Sequence, residues 1–105
     1  MSAAAPITEH ALLDVIEGRE AEFEAAFAVA RDIPAQSEGF ESLRLLRCVE
    51  HPSRYLLLIE WTTLEAHTVG FRGSALYERW RQLLHHFYDP FPTVIHFETV
   101  TERDP

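Results

Sequence analysis

The 105-residue chain contains no lysine and no asparagine, and it has a single cysteine. All nine basic side chains are therefore arginine. Without a lysine, Schiff-base chemistry and amine nucleophiles are excluded. Cys48 has no partner for an internal disulfide, so we expect a protein of the reducing cytoplasm. Its apolar, strand-like surroundings favour an inert buried thiol over a nucleophile.

Basic charge and long apolar segments are also scarce. Seventeen acidic and nine basic residues give a formal charge of −8, which would repel a phosphate backbone, so we expect no nucleic-acid partner. No apolar run approaches the ~18 residues of a membrane span, and the start of the chain lacks a basic signal-peptide region. We therefore expect no membrane partner. No glycine-rich phosphate loop is present, so nucleotide and flavin cofactors have no motif.

The pattern of hydrophobic residues predicts one α+β domain over residues 7–100, between tails at 1–6 and 101–105. Strands are predicted over 7–16, 42–50, 54–61 and 93–100, and helical segments over 19–33, 63–69 and 75–87. Thr62 and Glu65 resemble a capping box, and Ser74 is a candidate cap for the last helix. The third strand is apolar on both faces, which is typical of a doubly covered central strand.

The order β-α-β-β-α-β is that of a ferredoxin-like fold, with an antiparallel sheet and both helices on one face. The opposite face would then need cover of its own. A second copy of the chain is the simplest cover, so we expect a homodimer.

A series of short motifs runs along most of the predicted domain: Gly18–Phe23 with Phe27, Gly39–Phe40, Arg54–Tyr55, Glu60–Trp61, Glu65–Ala66 and Ser74. In order and spacing, they resemble the antibiotic biosynthesis monooxygenase domain of the dimeric α+β barrel superfamily. The resemblance implies a homodimer with a pocket between helices and sheet in each subunit. The family includes cofactor-free monooxygenases of phenols and quinols, haem-degrading enzymes and an isomerase.

Two departures from the family pattern bear on activity. Phe71 occupies the position three residues before the helix-opening Ser74 where many relatives carry a histidine. The haem-degrading branch uses an asparagine on the first strand, near Ala11 here, and this chain has no asparagine. The resemblance thus argues against haem, and it implies O2 as a co-substrate with no organic cofactor.

His67 lies four residues before Phe71, so the two share a helix face and His67 could partly replace the missing histidine. We predict His67 as the catalytic base, because imidazole titrates near neutrality. Predicted substrate-binding residues are Trp61 and Phe71 as walls, Arg72 as a site for an anionic group, and Tyr77 as a hydrogen-bonding aromatic. Ordinary structural roles compete with each assignment: a packed histidine, a core tryptophan, a solvated arginine and a half-buried tyrosine.

The remaining histidines do not predict a metal site. His85 and His86 are adjacent on a helix and point about 100° apart, so they cannot easily bind one ion. His10 and His96 lie on strands that should be neighbours, where they could face each other as a structural pair.

These features predict a cofactor-independent monooxygenase of a small aromatic or quinol-like molecule. Two alternatives remain open at this stage: a non-catalytic module that binds a hydrophobic metabolite, and an isomerase that uses the same histidine.

Overall fold

A computed structural model describes residues 5–105, and its four strands form one antiparallel sheet in the order β2-β3-β1-β4. The elements are β1 (Ile7–Asp14), α1 (Glu20–Ala30), β2 (Phe40–Arg47), β3 (Arg54–Trp61), a π-helical turn (Ala66–Phe71), α2 (Ala75–Leu84) and β4 (Val94–Phe97). Single 3-10 turns lie at Pro34–Gln36 and His85–Phe87. The predicted ferredoxin-like α+β fold is confirmed. Of the predicted N-terminal tail, residues 1–4 lie outside the described residues.

Several element boundaries differ from the sequence prediction for local reasons. β1 ends at Asp14, because Val15 forms an isolated bridge with Tyr88. β2 begins before residue 42, because an irregularity after Phe40 lets the strand start opposite Trp61 at the end of β3. It ends at Arg47, which is the last residue paired with β3. Cys48 therefore follows the strand and is half-buried. β4 is shorter than 93–100, because it pairs with only four residues of β1.

The helices also differ in their ends and caps. α1 ends at Ala30, just before a turn that contains Pro34. The hydroxyl of Thr63, and not that of Thr62, accepts the backbone N–H of Ala66 at 2.9 Å. Ser74 precedes α2 as predicted, but its hydroxyl donates to the carbonyl of Phe71 at 2.6 Å and does not cap the helix. The predicted 75–87 helix divides into α2 and the short turn after it.

Strand alternation separates a buried face of the sheet from an open one. On the buried face, Phe23 of α1 packs against Tyr55 with ring centroids 4.9 Å apart and against Phe87 at 5.7 Å. On the open face, Leu12 and Phe97 are 42% and 50% exposed in the single chain. Within residues 5–105, no helix is both long and apolar enough to cross a bilayer.

Candidate functional site

A cavity of about 320 Å³ lies between the buried face of the sheet, α2 and the segment that follows α2. Its walls are mainly apolar and aromatic, with a few ionisable groups, which is the usual make-up of a small-molecule site. The lining residues are Glu9, Ala11, Leu13, Leu57, His67, Phe71, Arg72, Tyr77, Trp80, His85, Tyr88, Phe91, Pro92 and Val94.

Four of the five site residues predicted from sequence line this cavity: His67, Phe71, Arg72 and Tyr77. Trp61 does not line it. Its indole lies fully buried behind the wall, with its ring centroid 5.5 Å from that of His67 and 5.6 Å from that of Phe71. Trp61 therefore supports the wall of the cavity from behind.

The π-helical turn sets the positions of His67 and Phe71. The backbone N–H of Arg72 donates to the carbonyl of His67 at 3.0 Å, a hydrogen bond that spans five residues instead of four. In this wider turn the two rings lie nearly parallel, with centroids 6.4 Å apart and an angle of 28°. Single π-type turns of this kind are frequent at functional sites.

A buried carboxylate accompanies His67. Glu9 points from β1 to the buried face, and its Oε1 accepts the indole N–H of Trp61 at 2.9 Å. Nε2 of His67 lies 3.3 Å from the same oxygen. On its other side, Nδ1 of His67 lies 2.8 Å from Nε2 of His96. The buried imidazole, 2% exposed, thus stands between an acid and a second imidazole.

Burial shifts the ionisation of this cluster strongly. Desolvation raises the pKa of Glu9 to about 7, although the Trp61 hydrogen bond and the charge of Arg72 act in the opposite direction. Desolvation lowers the pKa of His67 to about 3, and Arg72 and His96 lower it further. Burial and then Arg72 also lower the pKa of His96. At neutral pH, His67 is consequently a neutral imidazole beside a carboxyl group that can either hold or release a proton.

Arg72 and Tyr77 give the cavity its polar side. Arg72 is solvent-exposed, yet it lines the cavity and forms no ion pair with any carboxylate of residues 5–105. The ring of Tyr77 packs edge-on against Phe71, with centroids 5.7 Å apart, and against His85 at 5.9 Å. An anionic ligand in the cavity would therefore meet an uncommitted guanidinium.

The structural pair of His10 and His96 that the sequence allowed does not form. In the register of β1 with β4, His10 stands opposite Ile95, and His96 stands opposite Glu9. Neighbouring residues of a strand point to opposite faces, so His10 lies on the open face and His96 on the buried face. His85 lines the cavity while His86 is exposed, and the described residues hold no metal-binding group of three or more His, Cys, Asp or Glu side chains.

Sequence reasoning missed Glu9 as a member of the site. In the sequence, Glu9 interrupts an apolar strand face that includes Ile7, Ala11 and Leu13. A charged residue at an inward-facing strand position was itself a signal, since an unpaired buried carboxylate is costly and usually has a purpose. The aromatic wall that follows α2, with Tyr88 and Phe91, had no such signal.

The chain is similar to known proteins in sequence and in fold. Residues 6–86 match the sequence profile of the family described as antibiotic biosynthesis monooxygenase. The uncharacterized protein YczJ of Bacillus subtilis is 51% identical over 94 residues, which cover 90% of this chain and 99% of YczJ. A Bordetella bronchiseptica protein assigned to the same family has a similar structure, with a TM-score of 0.87, 38% identity and coverage of 92% of this chain and 99% of its own.

A more distant structure shows the same fold. SnoaB, a cofactor-independent oxygenase from Streptomyces nogalater, aligns with a TM-score of 0.71 at 23% identity, covering 96% of this chain and 97% of SnoaB.

Proposed function

We propose that this chain, which belongs to the antibiotic biosynthesis monooxygenase family, oxidises a small phenolic or quinol-like aromatic molecule with O2 and without an organic cofactor or metal. The observation that carries the proposal is the buried pair of Glu9 and His67 in the wall of an aromatic-lined cavity. The cavity volume of about 320 Å³ suits a molecule of two or three fused rings. The cofactor-independent chemistry named for SnoaB supports the proposal by likeness of fold.

The proposed mechanism begins with removal of a proton from the ligand. A phenolate or the corresponding carbanion can donate an electron to O2 directly, whereas the neutral phenol does so poorly. Glu9 faces the cavity and, when ionised, accepts this proton; its pKa of about 7 matches that task at neutral pH. His67, which the sequence predicted as the base, instead pairs with Glu9 in this proposal, because a pKa of about 3 makes it a weak base at neutral pH. Arg72 stabilises the ligand anion.

A homodimer is part of the proposal. The open face of the sheet carries exposed apolar residues on three strands, including Leu12, Leu46 and Phe97. On the same face, Nδ1 of His10 is buried without a hydrogen-bond partner among residues 5–105. A second copy packed across this face would cover the apolar surface and could supply that partner. We place the resulting dimer in the cytoplasm.

An isomerase is the second candidate. It is favoured by the coexistence of a protonatable carboxyl and a neutral imidazole in one buried pair, because such a pair can move a proton between two atoms of a ligand without any oxidant. Oxygen consumption separates the two candidates.

The test is O2 uptake by the purified protein with 1,4-naphthohydroquinone and anthrone, without added cofactor. We expect uptake above the buffer rate, and we expect Glu9→Gln and His67→Gln to lower it about a hundredfold, the size of a lost acid–base step. His86→Gln is the matched control, because His86 is exposed and outside the cavity.

Other outcomes reassign the protein. Binding of the probes without O2 uptake would support a binding module, whereas binding with exchange of ligand C–H protons for solvent deuterium would support an isomerase. A Soret shift on titration with haem would reopen haem chemistry, which we do not expect.

A further inference from the structure

Three titratable side chains from three separate elements stand in one row. Glu9 comes from β1, His67 from the π-helical turn and His96 from β4. Oε1 of Glu9 lies 3.3 Å from Nε2 of His67, and Nδ1 of His67 lies 2.8 Å from Nε2 of His96. The first separation is slightly longer than an ordinary hydrogen bond, as is common before a ligand binds. The two ring nitrogens of His67 therefore face Glu9 on one side and His96 on the other.

The two ends of the row lie in different surroundings. Glu9 lines the cavity and is 6% exposed. His96 does not line the cavity; it is only half-buried, on a strand that pairs within the sheet with β1 alone. Among residues 5–105 no hydrogen bond involves Nδ1 of His96, and this nitrogen is not among the buried atoms that lack a partner, so it contacts solvent in the single chain. The row therefore leads from the cavity to the edge of the sheet.

The charged and polar groups around the row favour movement of a proton without accumulation of positive charge. Arg72 acts electrostatically on all three residues and disfavours an imidazolium at either histidine. The indole N–H of Trp61 holds Oε1 of Glu9 from the other side. Glu9 is also enclosed on the cavity side whenever a ligand fills that space, so direct exchange of its proton with bulk water would be blocked during turnover.

We propose that His67 and His96 form a proton relay that restores the Glu9 carboxylate by releasing its proton at the β4 edge. The Glu9 O–H passes its proton to Nε2 of His67, while His67 passes its Nδ1 proton to Nε2 of His96. His96 then releases its own Nδ1 proton to water. One proton leaves the protein, no electron moves, and His67 and His96 both end as the other neutral tautomer. Proton exchange with water that enters the cavity after the product leaves returns both rings to their starting tautomers. The use of the relay in turnover rests on the proposed function, whereas the relay itself can be tested in the protein without a ligand.

The relay is tested first in the ligand-free protein by ¹⁵N NMR of the imidazole nitrogens, with ¹³C detection of the Glu9 carboxyl. From about pH 5 to about pH 9, His67 should keep a single ring proton, which moves from Nδ1 to Nε2 as Glu9 loses its proton. Glu9→Gln should abolish this change of tautomer. A fixed His67 tautomer throughout the Glu9 titration, or an imidazolium at His67, would overturn the relay.

A second experiment measures turnover by His96→Gln. The glutamine amide still offers His67 a hydrogen-bonding partner, but it cannot accept a proton and pass it on. O2 uptake with 1,4-naphthohydroquinone should fall about a hundredfold at neutral pH and recover when free imidazole is added to the buffer. His86→Gln should change neither the rate nor the response to imidazole. A merely structural role for His96 predicts a loss that imidazole does not restore. If the wild type oxidises no probe, the proposed function fails and the NMR result alone decides the relay.

Discussion

The indole N–H of Trp61 donates to Oε1 of Glu9 across 2.9 Å, and both side chains are buried. The sequence predicted Trp61 as a wall of the ligand site, but its indole donor is engaged by Glu9 within the protein. Because a hydrogen bond to the ionised form stabilises it, Trp61 counteracts part of the rise that burial imposes on the pKa of Glu9. Trp61 therefore influences the site through the pKa of Glu9, whose side chain lines the cavity.

Replacement of the indole donor should alter that ionisation. In Trp61→Phe, the pKa of Glu9 should rise above its value of about 7, because the ionised carboxylate loses a stronger hydrogen bond than the neutral carboxyl does. The variant should lose about 1–3 kcal/mol of unfolding free energy at alkaline pH, where the buried carboxylate is charged. ¹³C NMR of the carboxyl and chemical denaturation measure these effects.

Trp80→Phe is the matched control for this substitution. Trp80 is also buried in the same core, but none of the described hydrogen bonds involves its indole N–H. Trp80→Phe removes the same volume as Trp61→Phe without removing a hydrogen bond, so the pKa of Glu9 should stay near 7. Equal pKa shifts in the two variants would show that packing, and not the hydrogen bond, controls Glu9.

Glu9 and His67 should make opposite contributions to the pH dependence of the unfolding free energy. The raised pKa of Glu9 means that the folded state holds a proton that the unfolded state has lost, so its contribution falls as pH rises from about 4.5 to about 7. The lowered pKa of His67 has the opposite sign, so its contribution falls as pH drops from 6.5 towards about 3. Between about pH 4.5 and 6.5 the two slopes oppose each other.

Glu9→Gln separates these contributions. The difference in unfolding free energy, variant minus wild type, should increase by about 3 kcal/mol between about pH 4.5 and 7, because the variant lacks the carboxyl that opposes folding at higher pH. Urea denaturation at a series of pH values measures it. A difference that is independent of pH would mean that Glu9 titrates normally in the folded protein.

The sequence predicted the fold well because strand and helix periods depend on local patterns. β3 was placed at its observed bounds, and the spacing of His67 and Phe71 brought both to the cavity. The acid of the site escaped prediction because its role depends on strand register. A shift of one residue between β1 and β4 decides whether His96 shares a face with Glu9 or with His10, and no local pattern fixes that register.

The open face of the sheet should be the dimer interface. Ile95 is 46% exposed there, and Ile95→Arg would place a charge within the proposed contact. Light scattering should give twice the monomer mass of 12.1 kDa for the wild type and the monomer mass for this variant. Val29→Arg, on the exposed surface of α1, should remain dimeric. A monomeric wild type would refute the interface, as would a dimeric Ile95→Arg variant.

Arg72 should affect both the affinity for an anionic ligand and the pH at which the site works. In Arg72→Gln, the KM for 1,4-naphthohydroquinone should rise about tenfold, the loss expected for one charged hydrogen bond. The charge of Arg72 also lowers the pKa of Glu9, so its removal should move the acidic limb of the kcat/KM profile to higher pH. Arg79→Gln, on the exposed surface of α2, is the matched control and should change neither quantity. A rise in KM with no displacement of the profile would mean that Arg72 contacts the ligand but does not influence Glu9, whereas a displaced profile with unchanged KM would assign Arg72 to the ionisation of the site alone.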